Sequence, residues 1–315
     1  MNFSFFSKQS RPGPIQTAWH IIRKRKIWLG HDKVYDFWKP IVEDYHHNKI
    51  DQYDFKAKVV FDTDKIIWQY WGQGFADGTL PEVVRTCVAS VDVNKDDYHI
   101  VRLDDNNISD YLDLPSFVLK KRYNPEFTRT FFSDLLRVCL LNTYGGVWLD
   151  ATILLTKPLP SYWQQLDYFV FQRDDTVIEK QFWEHSYAYY WGWNKRFRVR
   201  MLNSILVAKK GTPVIRALQD LLLYYWKGQE SILNYFFFQI LYNVLLESNG
   251  NYKTCPLVSD TLPHLLQTKI NNPASRFSYQ EALKHTGIHK MSYFGTESIR
   301  RFNQMVEEIL KNTIA

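Results

Sequence analysis

Between Lys65 and Asp150 the chain alternates short apolar runs with longer helical ones, and this alternation constrains its fold more than any other feature. Lys65-Ile-Ile-Trp-Gln-Tyr-Trp71 reads as a buried strand, ended by Gly72 and Gly74. Pro81-Glu-Val-Val-Arg-Thr-Cys-Val-Ala89 reads as a helix with proline in its first turn. Tyr98-His-Ile-Val-Arg-Leu103 is a second strand, closed by the turn formers Asp104-Asp-Asn-Asn107. A strong helix covers Phe127–Asn142, and after Tyr144-Gly-Gly146 a third strand follows at Val147-Trp-Leu149. Strand, helix, strand, helix, strand is the order of a parallel sheet with helices on its faces, so the expected class is α/β.

The flanks extend this plan. Helices are expected over the Gln16–Trp28 region and about Asp32–Tyr45, strands at Tyr168–Phe171 and Ser204–Ala208, and helices near Pro213–Trp226, Ile232–Leu246 and Glu297–Lys311. Tyr235-Phe-Phe-Phe238 is apolar on most sides, yet Asn234, Gln239 and Asn243 would be costly in lipid, so this segment reads as protein core. Two parts are expected: a helical, basic extension over residues 1–60 and one α/β domain over residues 61–315.

Composition narrows the class of protein. With 315 residues, 45% of them hydrophobic and 17% aromatic, the chain can bury a substantial core, which argues against disorder. Three cysteines far apart, Cys87, Cys139 and Cys255, form neither a disulfide framework nor a zinc-ribbon spacing and suit a reducing compartment. Lys8, Arg11 and Pro12 interrupt the opening apolar residues, and no run of 18 apolar residues occurs. The expected location is cytoplasmic. Of the net charge of +6, residues 1–60 hold a surplus of five, with eleven Lys/Arg against six Asp/Glu. Arg23-Lys-Arg-Lys26, bracketed by Trp19 and Trp28, is either a solvated helix face or a patch that meets the anionic inner face of a membrane. Nucleic acid is not an expected partner, because the remaining chain is nearly neutral and carries no recognised binding motif.

Ligands of open α/β sheets bind beyond the carboxyl ends of the strands. Asp150 stands there, directly after the third strand, either as a ligand for a cation or hydroxyl or as a simple turn former. On the preceding helix, Asp134 and Arg137 lie three apart and share a face. They are an intrahelical ion pair or a grip on a polar ligand. The apolar residues around them, Phe131, Phe132, Leu135, Leu136 and Val138, make an unsatisfied pair expensive.

Phe132-Ser-Asp-Leu-Leu-Arg137 followed by Leu140-Leu-Asn-Thr-Tyr-Gly-Gly-Val-Trp-Leu-Asp-Ala-Thr152 resembles the signature of the capsular-polysaccharide-synthesis glycosyltransferases, relatives of the DXD sugar transferases and, distantly, of the clostridial glucosylating toxins. The likeness includes residues 65–74, Pro81 and Leu103-Asp-Asp105. It returns more loosely at Leu202-Asn-Ser204, Ala208-Lys-Lys-Gly211 and His289-Lys-Met-Ser-Tyr293. It implies a GT-A fold, Rossmann-like, that binds a nucleotide sugar, UDP-linked, and transfers the sugar with retention to a growing capsular or other surface glycan, including a lipid-linked one.

By the same resemblance, Trp68 stacks on the base with Gln69 beside it, while Ser133, Asp134 and Arg137 hold the donor sugar. Asp150, the first aspartate of DXD, meets ribose and the metal-bound diphosphate. Catalysis falls to Asp150, Asp134 and Arg137. Thr152 stands where a second acidic residue usually binds the metal, which leaves Asp150 and His289 as ligands for Mn²⁺ or Mg²⁺. Lys290 would join the donor-binding set, and Lys195-Arg-Phe-Arg-Val-Arg200 is another source of positive charge for a diphosphate. The rival from another class is a catalytically silent nucleotide-sugar-binding partner of a polysaccharide assembly complex.

Overall fold

A computed structural model describes residues 14–76, 78–248, 252–275, 277–292 and 294–314. The central sheet is built from β1 (Ile66–Tyr70), β2 (His99–Leu103), β3 (Gly146–Leu149), β5 (Tyr168–Gln172) and β6 (Met201–Ala208); β4 (Ile153–Leu155) and β7 (Ile288–Lys290) form a separate ribbon. The helices are α1 (Pro14–His46), α2 (Glu82–Asn94), α3 (Ser116–Lys121), α4 (Arg129–Tyr144), α5 (Lys180–Ser186), α6 (Pro213–Gly228), α7 (Phe237–Glu247), α8 (Leu265–Asn271), α9 (Tyr279–His285) and α10 (Thr296–Ile314).

The sheet order is β2-β1-β3-β6-β5. β1 runs parallel to both β2 and β3, as the alternation of elements requires. Every residue of β1 is buried, which is what a strand covered on both faces needs. The parallel pattern of the first three strands stops at β6, which is antiparallel to both β3 and β5. The reversal puts the start of β6 at the carboxyl ends of β1 and β3, where it can add side chains to a ligand site.

Two glycines join α4 to β3. Gly145 ends the helix with φ 78° and donates to the Leu141 carbonyl at 2.9 Å. At Gly146, with φ 101°, an added Cβ would lie 2.5 Å from the Ile66 carbonyl oxygen. Only glycine lets β3 lie this close to β1 immediately after the turn.

The helical extension is one long helix rather than two. α1 passes through Gly30 and Pro40 without a break. It stays helical because tertiary packing holds it. Val34, Trp38 and Val42 enter the main core, and the Trp38 indole donates to the Phe237 carbonyl at 3.2 Å. α4, α6 and α7 close that core around Phe127, Phe132, Trp226 and Phe237. A second, smaller core gathers Leu154 of β4, Leu266 and Ile270 of α8, Ala282 of α9, Met291, and Phe302 and Met305 of α10. The three cysteines are buried and free. No helix among the described residues is long and apolar enough to cross a membrane.

The two kinds of strained glycine separate experimentally. Gly211 has φ 71° with nothing within 4 Å of an added Cβ, so Gly211→Ala should cost about 1–2 kcal/mol from backbone conformation alone. Gly146→Ala adds the clash with Ile66 and should lose clearly more in a urea titration. Equal losses would mean that the Ile66 backbone yields freely.

Candidate functional site

A cavity of about 1100 Å³ opens at the carboxyl ends of β1 and β3. Tyr70, Trp71 and Gly72 reach it from β1, Asp150 to Thr152 from β3, Leu202 to Ser204 from the start of β6, and Lys290 from β7. The amino-terminal half of α4 lines it with Arg129, Thr130, Ser133, Asp134 and Arg137, whose spacing of three and four residues makes one helix face. Aromatic side chains complete the lining, among them Phe182, Tyr187, Tyr190, Trp191, Tyr235 and Phe236.

Arg137 is the centre of the polar half. Its side chain is only 2% exposed. Nη1 pairs with Asp134 Oδ1 at 2.9 Å and donates to the Asn203 carbonyl at 2.6 Å. Nη2 donates to Ser133 Oγ at 3.0 Å and to Asp150 Oδ1 at 3.4 Å, and Nε donates to the Ser133 carbonyl at 3.1 Å. Asn203 Nδ2 also donates to Asp134 Oδ1, at 2.8 Å. Buried charges persist only when paired and hydrogen-bonded, and here the partners come from α4, β6 and the end of β3.

Asp150 is held from both sides. Its Oδ1 accepts from the Trp148 indole at 2.8 Å and its Oδ2 from Lys290 Nζ at 2.9 Å. Lys290 Nζ also donates to Thr152 Oγ1 at 2.9 Å. Lys290 arrives through the ribbon, where it stands opposite Ile153, and the Met291 amide donates to the Thr152 carbonyl at 2.8 Å.

The two carboxylates titrate far apart. Burial raises the Asp134 carboxyl to about 6, although the Arg137 guanidinium opposes the rise. Burial acts on Asp150 too, but Lys290 and Arg137, with hydrogen bonds from Trp148 and Lys290, outweigh it and bring that carboxyl to about 2. Environments that drive two acids apart are characteristic of functional sites.

Of the residues singled out from sequence, Ser133, Asp134, Arg137, Asp150, Thr152 and Lys290 converge on this cavity. Trp68 and Gln69 do not. Trp68 is fully buried; its indole donates to the Gly145 carbonyl at 2.9 Å, and its ring packs among Phe61, Tyr111 and Tyr144. No face remains for a base, so the expected stacking role is corrected to a core role. Gln69, also fully buried, accepts from Arg102 Nε at 3.2 Å. Trp71, three residues after Trp68 and past the strand end, is the β1 tryptophan that reaches the cavity.

His289 is corrected as well. It precedes Lys290 on a strand, so its side chain points to the other face, fully buried, with Nε2 3.1 Å from Thr156 Oγ1. Burial lowers its pKa to about 3. Asp150 and His289 are therefore not brought together. No group of three His, Cys, Asp or Glu near enough to hold a metal occurs among the described residues. The donor set does not fit a divalent ion: two of the three side-chain oxygens of the Asp150-Ala-Thr152 turn already share one ammonium, and Arg137 faces the third. The 195–200 basic cluster lies elsewhere, with Arg196 on Asp32, Arg198 on Glu247 and Arg200 on Asp175.

Sequence reasoning missed Asn203, Trp148 and Arg129 as site residues, although the first two lie inside the quoted motifs. Arg129 is braced by Asp105, which also takes the Tyr70 hydroxyl at 2.6 Å. The dense aromatic run Tyr187–Trp193 was the available signal for the aromatic lining.

The raised Asp134 carboxyl has a definite sign. A folded value above the ordinary 3.8 gives a contribution to stability that is full below pH 3.8 and lost as pH rises through about 6. Asp134→Asn should therefore gain on the wild type between pH 4 and 6 in urea midpoints and hold a constant gap above pH 7. A gap constant over the whole range would contradict the assignment.

Comparison with known proteins gives three findings. A stretch of 179 residues, 54% of this chain, is 23% identical to the O-glycosyltransferase PaGT of Phomopsis amygdali, and the match spans only 41% of that relative's length. Among solved structures, PaToxG Glycosyltransferase is similar over 91% of this chain and 97% of its own, at 14% identity and a TM-score of 0.34. A superposition that loose carries no residue correspondence. The family described as capsular polysaccharide synthesis protein matches residues 19–309, nearly the whole chain and all of the cavity-lining residues, and the chain belongs to that family.

Proposed function

We propose that the protein is a GT-A-type glycosyltransferase that moves a sugar from a UDP-linked donor to a growing capsular or other surface glycan. The observation that carries this reading is the convergence of Asp134, Arg137, Asp150 and Lys290 in one cavity at the carboxyl ends of the parallel strands. The cavity, about 1100 Å³, has room for a nucleotide sugar and part of an acceptor. Trp71 and Tyr70 at the end of β1 offer the base an aromatic surface. In this reading Asp134 and Ser133 meet sugar hydroxyls and Lys290 meets the diphosphate, while Arg137 holds Asp134 and Asp150 in position. The aromatic lining suits stacking against an acceptor glycan.

Asp134 and Asp150 are the two carboxylates lining the cavity among the described residues, and both are tied to cations. Neither stands free as a nucleophile. Combined with the retention that the family resemblance implies, this favours a front-face transfer, in which the acceptor hydroxyl attacks from the side that the diphosphate leaves.

Turnover of UDP-sugars with an acceptor glycan tests this reading, and the absence of both transfer and donor hydrolysis would reject it in favour of a silent binder. Trp71→Ala should weaken UDP and UDP-sugar alike by about 1–3 kcal/mol, as loss of a base-stacking surface does. Asp134→Asn should weaken UDP-sugar much more than UDP, and equal weakening would make the pair structural.

The basic end of α1 supports a peripheral membrane contact. Ile21 and Ile22 are 63% and 60% exposed, beside the exposed Arg23, Lys24, Arg25 and Lys26. Trp28 instead packs on the core under Arg196, and the side chain of Trp19 lies outside those described. With about 1 kcal/mol per basic residue near an anionic surface, co-sedimentation with phosphatidylserine vesicles should be salt-sensitive and vanish when residues 23–26 are all Gln. Binding that ignores both changes would discard the contact.

A further inference from the structure

We propose that Lys290 is the protein's own cation for the donor diphosphate, taking the place that a divalent metal ion would hold. The inference rests on the reading of the cavity as a nucleotide-sugar site. Its starting point is the turn after β3. In Asp150-Ala-Thr152 the two outward oxygens, Asp150 Oδ2 and Thr152 Oγ1, are each 2.9 Å from Lys290 Nζ. The ammonium thus bridges the two positions from which a chelating pair would reach a metal.

Lys290 is not a surface lysine that happens to fall nearby. Its side chain is 14% exposed. β7 pairs with β4 in a register that sets Lys290 against Ile153, directly after the turn, and the backbone bond from Met291 to Thr152 clamps the two segments together. Small-core residues Leu154 and Met291 anchor both sides of this clamp. The remaining oxygen of Asp150 faces Arg137. A dication at this turn would have to displace one fixed positive charge and approach another, with a neutral threonine where a second carboxylate would help it.

In the transfer, the bond from sugar C1 to the β-phosphate oxygen breaks and its electron pair stays on that oxygen. The acceptor oxygen forms the new bond to C1, and its proton passes to the departing diphosphate. Charge therefore grows on the β-phosphate as the bond breaks. Lys290 meets that charge with an ammonium already in position.

Binding decides the proposal without depending on turnover. UDP and uridine are titrated calorimetrically into the wild type in EDTA and again in excess Mn²⁺. UDP should bind in EDTA, with an affinity that Mn²⁺ changes by less than threefold. Lys290→Met should lose at least tenfold in UDP affinity in EDTA and less than twofold in uridine affinity. UDP binding that requires Mn²⁺, or UDP and uridine affinities that fall together in Lys290→Met, would overturn it. Should Lys290→Met fail to fold, the wild-type comparison of EDTA with Mn²⁺ decides alone. Failure of the parent reading looks different: UDP binds as described, yet no UDP-sugar is turned over under either condition.

Discussion

The site depends on the burial of one guanidinium. Arg137 sits almost without solvent between Asp134 and Asp150, and its remaining donors end on Ser133 and on the Asn203 carbonyl. Those partners belong to α4, to the end of β3 and to β6, so the arginine is satisfied only when all three elements meet. Removing one partner of such a buried pair typically costs about 3–5 kcal/mol, because the other charge is then stranded. The same requirement explains the reversed strand. Antiparallel β6 brings its first residues to the carboxyl end of the sheet, and with them the carbonyl and amide of Asn203.

Around that guanidinium the cavity divides by chemistry. Part of its lining is charged and hydrogen-bonded, part aromatic. Two acids on neighbouring elements titrate far apart, Asp134 near 6 and Asp150 near 2, because the fixed cations crowd Asp150 while burial dominates at Asp134. A site so arranged offers a polyanion fixed positive charge and offers a sugar a hydrogen-bonding group that can be neutral or charged near physiological pH. This is the physical content behind the glycosyltransferase reading of a chain that belongs to the capsular polysaccharide synthesis family.

The second core has a purpose in this picture. Helices α8, α9 and α10 pack around the β4–β7 ribbon rather than on the main sheet. They hold Lys290, 140 residues beyond Asp150 in the chain, within hydrogen-bonding distance of it. The ribbon also determines which of two adjacent residues serves the site. Alternation along β7 sends Lys290 into the cavity and His289 into the protein, where its ring meets Thr156.

Much was legible before any coordinates, and the reason is local. The apolar runs, the Gly-Gly turn at 145–146 and the helical periodicity of 129–144 are written in residues close together, so the class and most elements could be read directly, while spacing singled out Asp134, Arg137 and Asp150 and only the family resemblance gave them and Ser133 a role. By itself the sequence determined that a sheet would form here and that an aspartate would stand at the end of its third strand. What only the tertiary structure decided is whatever turns on contact between distant segments. It reversed β6, merged α1 into one helix against the core, and exchanged Trp68 for Trp71. It also replaced an expected Asp150–His289 metal pair with an ammonium on Asp150 and Thr152. Periodicity shows that a strand is buried but not where along it a ligand sits, and spacing cannot show which charge, arriving from the far end of the chain, will neutralise a carboxylate.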